Sequence, residues 1–167
     1  VTEFLTPRPI AAGDKLSEFH SGEESLDSWL RGRARSNEKA GASRTSISVT
    51  RDEHRVAGYY CLSSSSLERG DGPPMLTDKM PSIIPVVLLG RLAVHRDFHG
   101  MGLGFSLLQH ATLRALDAAE TIGIRAILVH ALNEEVVPFY EKFGFTRFPG
   151  QSQTLYLLTK DARATIR

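Results

Sequence analysis

Apolar residues recur along this chain with two periods. Thr45-Ser-Ile-Ser-Val-Thr alternates polar and apolar positions, as a half-buried strand does. Asp52-Glu53-His54 reads as a turn and Arg55 to Ser63 as the returning strand, which predicts a hairpin. The run Pro85 to Leu89, resumed at Leu92-Ala93-Val94, predicts a buried strand, and Ala126–Ala131 a shorter one. The helical period governs Phe105, Leu108, Thr112, Ala115, Ala119 and Ile122, an amphipathic helix that Gly123 closes. Another helix opens at Ser21 or Gly22, with Glu23 and Glu24 in its first turn and Leu26, Trp29 and Leu30 as its apolar face; Trp29 reads as core. Asn133 is a capping residue for a third helix, stopped by Gly144, but Pro138 leaves its start open between Asn133 and Val137. Thr146–Phe148 and Thr154–Thr159 read as the last strands and Asp161 to Arg167 as a tail. Residues 1–13 read as loop with an edge strand near Arg8–Ala11, and Glu68 to Pro85 as a long irregular connection, a candidate border of a substrate groove. Periodicity alone yields a mixed α/β protein.

Between the strand ending at Val94 and the long helix stand Gly100, Gly102 and Gly104. A strand feeding a glycine-rich turn that opens a helix is an anion-binding device. Backbone without Cβ atoms approaches a ligand closely, and the first-turn N–H groups face it with the positive end of the helix dipole. The spacing lacks the Lys-Ser/Thr of a nucleotide-hydrolase phosphate loop, and Phe105 occupies the third glycine position of the dinucleotide fingerprint. A ligand-free glycine turn is the competing reading.

The chain has 167 residues, the size of a single domain spanning 1–167, and its 41% hydrophobic and 23% charged content is ordinary for a soluble globular protein. One cysteine, Cys61, excludes an internal disulfide, fits a reducing compartment and reads as an inert small hydrophobe. No cysteine–histidine cluster suggests a metal, no apolar run reaches the ~20 residues that span a bilayer, and no secretory signal is visible, so a cytoplasmic protein is expected. Net charge is +1, so any steering of a charged partner comes from a local patch. Such a patch exists: Arg31, Arg33, Arg35, Lys39 and Arg44 stand against Glu38 alone. It is either a solvated helix face or a phosphate-binding surface of the kind RNA needs.

LAVHRDFHGMGLGFSLL resembles the acetyl-CoA-binding motif of the GNAT family of N-acetyltransferases, Gln/Arg-x-x-Gly-x-Gly/Ala, with His99 in the Gln/Arg place and Gly102 and Gly104 in the glycine places. LVHALNEEVVPFYEKFGF, from Leu128 to Phe145, resembles the family's later motif, with Asn133, the Phe139-Tyr140 pair and the closing Gly-Phe. The resemblance implies a central twisted, mostly antiparallel sheet with two splayed parallel strands, flanked by helices. It also implies acetyl-CoA as acetyl donor. The pantetheine arm would pair with Leu92, Ala93 and Val94. The pyrophosphate would lie on His99, Gly100, Met101, Gly102, Leu103 and Gly104, with Asn133, Phe139 and Phe143 contributing further contacts. Phe19-His-Ser-Gly-Glu-x-x-Leu-x-x-Trp-Leu, Gly41-Ala-Ser-Arg-Thr, Gly58-Tyr-Tyr and Leu89-Gly-Arg-Leu-Ala-Val are similar to acetyltransferase toxins of bacterial toxin–antitoxin pairs. That narrower likeness implies acetylation of the α-amino group of aminoacyl-tRNA and a block of translation. It implies a ribbon-helix-helix antitoxin as partner and a homodimer. Arg31, Arg33, Arg35 and Lys39 then become tRNA contacts, with Arg91 a separate candidate for the groove.

The chemistry agrees with an α-amine acceptor. Its pKa of about 7.7–8.0 leaves roughly a tenth neutral at pH 7, against roughly 0.04% of a lysine. Little help from a base is needed, and Glu134, Glu135, His110 and His130 read better as surface, cap or strand residues. Tyr140 is the phenol placed by motif to protonate the departing thiolate, with a core aromatic as its competing reading. Two other functions stay open at this point: acetylation of another amine (a protein N-terminus, a polyamine or an antibiotic), and a non-catalytic acetyl-CoA-binding module.

Overall fold

The computed structural model describes residues 1–150 and 152–166. Its strands are β1 (Arg8–Pro9), β2 (Arg44–Val49), β3 (Val56–Glu68), β4 (Ile83–Val94), β5 (Ala126–His130), β6 (Thr146–Arg147) and β7 (Thr154–Leu158). The helices are α1 (Glu24–Gly32), α2 (Ala34–Ala40), α3 (Pro74–Thr77), α4 (Leu103–Ala119), α5 (Val137–Phe143) and α6 (Thr159–Thr165). The strands form one sheet in the order β1-β2-β3-β4-β5-β7-β6. β1 with β2, β2 with β3, β5 with β7 and β6 with β7 pair antiparallel, whereas β4 and β5 run parallel. The sheet is mixed α/β and mostly antiparallel, as expected.

The chain packs as two units, Val1–Ser63 with Gly90–Ala111, and Ser64–Leu89 with Thr112–Arg167. In the first, the β2–β3 hairpin forms as its alternation predicts, in register from Arg44↔Leu62 to Val49↔Val56. Its core gathers Leu16, Phe19, Leu30, Ile47, Val56, Tyr59 and Ala93, with Leu26 and Trp29 half-buried against them. Gly58 permits a close approach: a Cβ there would stand 2.8 Å from Leu107 Cδ1, 3.1 Å from the Ala93 carbonyl and 3.3 Å from Leu103 Cδ2. The start of α4 seats against β3 because that position carries no side chain.

The second unit has its own core of Leu76, Ile84, Val86, Ala126, Leu128, Tyr156 and Leu158. Three expectations are corrected here. The connection from Glu68 to Pro85 is not irregular: β3 runs to Glu68, β4 starts at Ile83, and α3 lies between, entered by Pro74 at its first position. Arg125 pins that helix by donating from Nε to Leu76 O at 3.0 Å and from Nη2 to Met75 O at 3.2 Å. The expected tail is helix α6 as far as Thr165, anchored by fully buried Ala162; Arg167, its last residue, lies outside the described residues. Helix α4 ends at Ala119 and its buried face is Leu103, Leu107, Leu108, Ala111, Thr112, Ala115 and Leu116. Phe105 and Ile122, expected on that face, are exposed.

Candidate functional site

The first unit carries the glycine turn. β4 ends at Val94, and the chain is tied down immediately after it. His95 N donates to Ala57 O at 2.7 Å and Arg96 N to His20 O at 2.8 Å. The buried His95 side chain caps the 3₁₀ turn Arg96–Phe98, its Nδ1 accepting from Asp97 N at 3.0 Å. Arg55 donates from Nη2 to Asp97 Oδ2 at 2.7 Å and lays its guanidinium 4.9 Å over the Phe98 ring. That bond holds the Asp97 carboxyl below the usual carboxylate range. Phe4 closes the stack edge-on against Phe98, at 5.4 Å between centroids.

Beyond this strut, Gly100 and Gly102 adopt φ of 80° and 81°, where glycine alone sits without steric cost. A Cβ at either would meet no protein atom within 4 Å, so the turn offers bare backbone to open space. Ser106 N closes the first bond onto Gly102 O, at 3.1 Å. The amides of Gly102, Leu103 and Gly104 stand at this helix start, at the positive end of the dipole. The exposed Arg96 side chain stands close by in sequence. This set fits a pyrophosphate: donors, positive potential and no side chain in the way. Met101 is exposed and Leu103 is buried beneath the turn.

His99 is exposed and donates from Nε2 to Val94 O at 2.8 Å. It bridges the turn with the one carbonyl of Leu92–Val94 nearest the glycines. The parallel pairing of β4 with β5 runs from Val86↔Ala126 to Leu89↔Val129 and stops there, although β4 continues to Val94. Leu92 and Val94 are half-buried and Ala93 is buried. Arg91 lies 5.0 Å over Trp29, which in turn stacks on Tyr59 at 6.1 Å. Trp29 is thus held between partners within this unit.

The second unit carries the later motif. Asn133 Oδ1 accepts from Glu135 N at 3.0 Å and Val136 N at 3.2 Å. It caps the 3₁₀ turn Glu134–Val136 rather than α5 itself, and α5 follows at Val137 with Pro138 in its first turn, which settles the open start. Tyr140 is buried, its ring 5.1 Å from Phe139 and 5.7 Å from Phe145, both edge-on. Burial pushes its phenol well above the ordinary tyrosine value, so it is a proton donor and not a base at any physiological pH. Phe139 is half-buried; Phe143 is buried, with its ring 6.2 Å from Phe145.

The basic segment divides in two. Arg31 donates to Phe19 O at 2.8 Å and to Glu24 at 2.9 Å. Arg35 Nη2 reaches the carbonyls of Ala11, Ala12 and Asp14, the last at 2.5 Å. Both are fastenings, engaged before any RNA arrives. Arg33 and Lys39 are exposed cations. Among the candidate bases, Glu134 pairs with Arg147, His130 Nδ1 with Thr154 Oγ1 at 2.9 Å, and His110 Nδ1 with Tyr60 Oη at 2.6 Å. Burial raises the Cys61 thiol to about 11, which leaves it inert. Among the described residues no group of His, Cys, Asp and Glu could hold a metal ion, and no helix is long and apolar enough to cross a membrane. The Arg55–Asp97–His95 strut escapes a sequence reading, because its partners lie 42 and 2 residues apart and form no motif.

Residues 43–147 match the model of the acetyltransferase (GNAT) domain. The chain is 47% identical over 163 residues, 98% of its length and 97% of the relative's, to a tRNA-acetylating toxin of Mycobacterium tuberculosis. It superposes with a TM-score of 0.88 and 31% identity on AtaT complexed with acetyl-methionyl-tRNAfMet, covering 99% of this chain and 100% of that one. It also superposes, at a TM-score of 0.81 and 29% identity over 95% of this chain and 96% of that one, on a tyrosine-to-phenylalanine mutant of AtaT bound to the C-terminus of the antitoxin AtaR and acetyl-CoA. With 105 consecutive residues under the domain model and a relative matched from end to end, the chain belongs to the GNAT family of acetyltransferases.

Proposed function

We propose that this chain transfers the acetyl group of acetyl-CoA to the α-amino group of aminoacyl-tRNA and so acts as a toxin that blocks translation. The observation that carries the reading is the 47% identity, over 98% of the chain, to a toxin that acetylates tRNA. Acetyl-CoA supplies an activated acyl group. The amides of Gly100 to Gly104 and the dipole of α4 hold the diphosphate, and Leu92 to Val94 offer backbone to the pantetheine arm. His99 keeps Val94 O engaged, so the arm pairs with the remaining groups of that edge. The substrate amine, neutral in roughly a tenth of molecules at pH 7, needs no strong base to attack. Its N–C bond forms as the C–S bond breaks, the Tyr140 hydroxyl gives its proton to the sulfur, and the proton lost by the amine returns to the phenol through solvent. Asn133 shapes the turn that presents α5, and Phe139 and Phe143 pack around it. Arg33 and Lys39 hold tRNA phosphates and Arg91 lies in the groove, while Arg31 and Arg35 support the helices that carry the first two.

A ribbon-helix-helix antitoxin as partner and a homodimeric assembly complete the reading; AtaT bound to the C-terminus of its antitoxin supports a partner of this kind. Incubation of charged tRNA with the protein and acetyl-CoA, followed by mass spectrometry of the aminoacyl adenosine, tests the activity. The expected product is heavier by one acetyl group. Unmodified aminoacyl-tRNA beside an acetylated peptide or polyamine in the same assay would move the protein to a different acceptor class.

A further inference from the structure

His95 stands between the end of β4 and the glycine turn, with both ring nitrogens committed in opposite senses. A carbonyl can only accept, so Nε2, 3.1 Å from Glu18 O, carries the proton; an amide N–H can only donate, so Nδ1, 3.0 Å from Asp97 N, is bare. The neutral imidazole is therefore built into the backbone, in one tautomer. Its ring packs against Phe19 at 5.9 Å and Phe98 at 5.7 Å between centroids and is 6% exposed. The charged and titratable groups facing it are Asp97, Arg55 and His20. Asp97 Oδ2 lies 3.9 Å from Nδ1 and is held by Arg55.

We propose that neutral His95 is a positioning residue for acetyl-CoA: it sets the turn that aims the glycine backbone, and its protonation weakens binding of the donor. A proton on Nδ1 turns an acceptor into a second donor. The Asp97 amide then loses its partner, and the Asp97 carboxylate is drawn between His95 and Arg55. The 3₁₀ turn, and with it the glycines that follow directly, lose the capped geometry. Burial already lowers the pKa of His95 below the ordinary imidazole value, with Asp97 opposing, so the neutral cap holds at pH 7 and fails only in more acid solution. The inference rests on the glycine turn as the acetyl-CoA site.

The test is acetyl-CoA affinity by isothermal titration calorimetry between pH 5.5 and 8, on wild type, His95→Asn and His95→Gln. An Asn amide oxygen reaches the Asp97 amide as Nδ1 does and cannot be protonated, so His95→Asn isolates the slope. The Gln amide reaches Glu18 O but leaves the Asp97 amide unpaired. The 3′-phosphate of the ligand titrates near pH 6 in every experiment, so the difference between curves is what counts. As the pH falls from 8, wild type should lose affinity more steeply than His95→Asn, by up to about tenfold once His95 is protonated, the worth of one backbone hydrogen bond. His95→Gln should bind at least threefold more weakly than His95→Asn at pH 8. Parallel curves for wild type and His95→Asn overturn the proposal, even if His95→Gln fails to fold. A wild type whose acetyl-CoA binding is indifferent to Gly102→Glu sinks the cofactor reading instead.

Discussion

Tyr140 packs its ring in a nest of aromatic edges, and burial keeps its phenol protonated. A protonated phenol is a donor from which a departing thiolate can accept. Tyr140→Phe keeps the ring and the packing and removes only the donor. kcat for acetylation of charged tRNA should then fall about 10²–10⁴-fold with the acetyl-CoA dissociation constant close to wild type. A Phe variant that turns over at the wild-type rate leaves water or the amine as the proton source. The raised phenol pKa makes a second statement about pH. A tyrosine whose proton is held above its ordinary value stays a donor through pH 10, so kcat/KM should climb as the α-amine loses its proton near pH 7.7–8.0 and then stay level. An alkaline fall beginning near pH 9 in a stopped-flow pH profile would mean that the phenol ionises early and is not shielded as the structure has it.

Among the elements, long strands and amphipathic helices were legible because a repeating environment leaves a repeating pattern. The β2–β3 hairpin and the Leu26–Trp29–Leu30 face of α1 follow from such patterns. Helix α3 was not, since four residues are too few to show a period, and α6 was not, since only Ala162 is buried on it. The glycine turn was legible as a turn because Gly100 and Gly102 take φ values of 80° and 81°, and neither has a structural neighbour that requires a glycine. Arg31 and Arg35 look like Arg33 in sequence. What separates them is a carbonyl partner 12 to 24 residues away, which no local pattern encodes. The two kinds of glycine should respond differently to substitution. Gly58→Ala forces a methyl against buried Leu107 and the Ala93 carbonyl, so the overpacked contact should cost about 1–3 kcal/mol in urea denaturation. Gly102→Glu meets open space but places a carboxylate where we propose that the diphosphate binds. It should leave a folded protein whose acetyl-CoA affinity is lower by about tenfold or more in calorimetry. Equal affinity in the folded Gly102 variant would put the phosphates elsewhere.

At the scale of the whole molecule the question is how a chain with a net charge of +1 binds a polyanion. Overall charge gives almost no attraction, so binding rests on cations that are exposed, clustered and not already paired. Arg31 and Arg35 already donate to backbone carbonyls, and Arg44 pairs with Glu38 at 2.8 Å. Arg33 and Lys39 remain on the surface of that segment. Each phosphate contact releases condensed counterions, so the slope of log affinity against log salt measures how many cations are engaged. Replacing Arg33 and Lys39 together by Gln should lower that slope by roughly 1.4–1.8, at about 0.7–0.9 per lost contact, and weaken tRNA binding most at low salt. Acetyl-CoA affinity should not move. Arg35→Gln should instead lower the melting temperature, because three carbonyls of the Ala11–Asp14 segment lose their donor, and should leave the salt slope nearly intact. Filter binding of uncharged tRNA across a salt series reads the slope, and calorimetric melting reads stability. A slope unchanged in the Arg33/Lys39 double variant would make this segment a solvated helix face and send the tRNA to another surface.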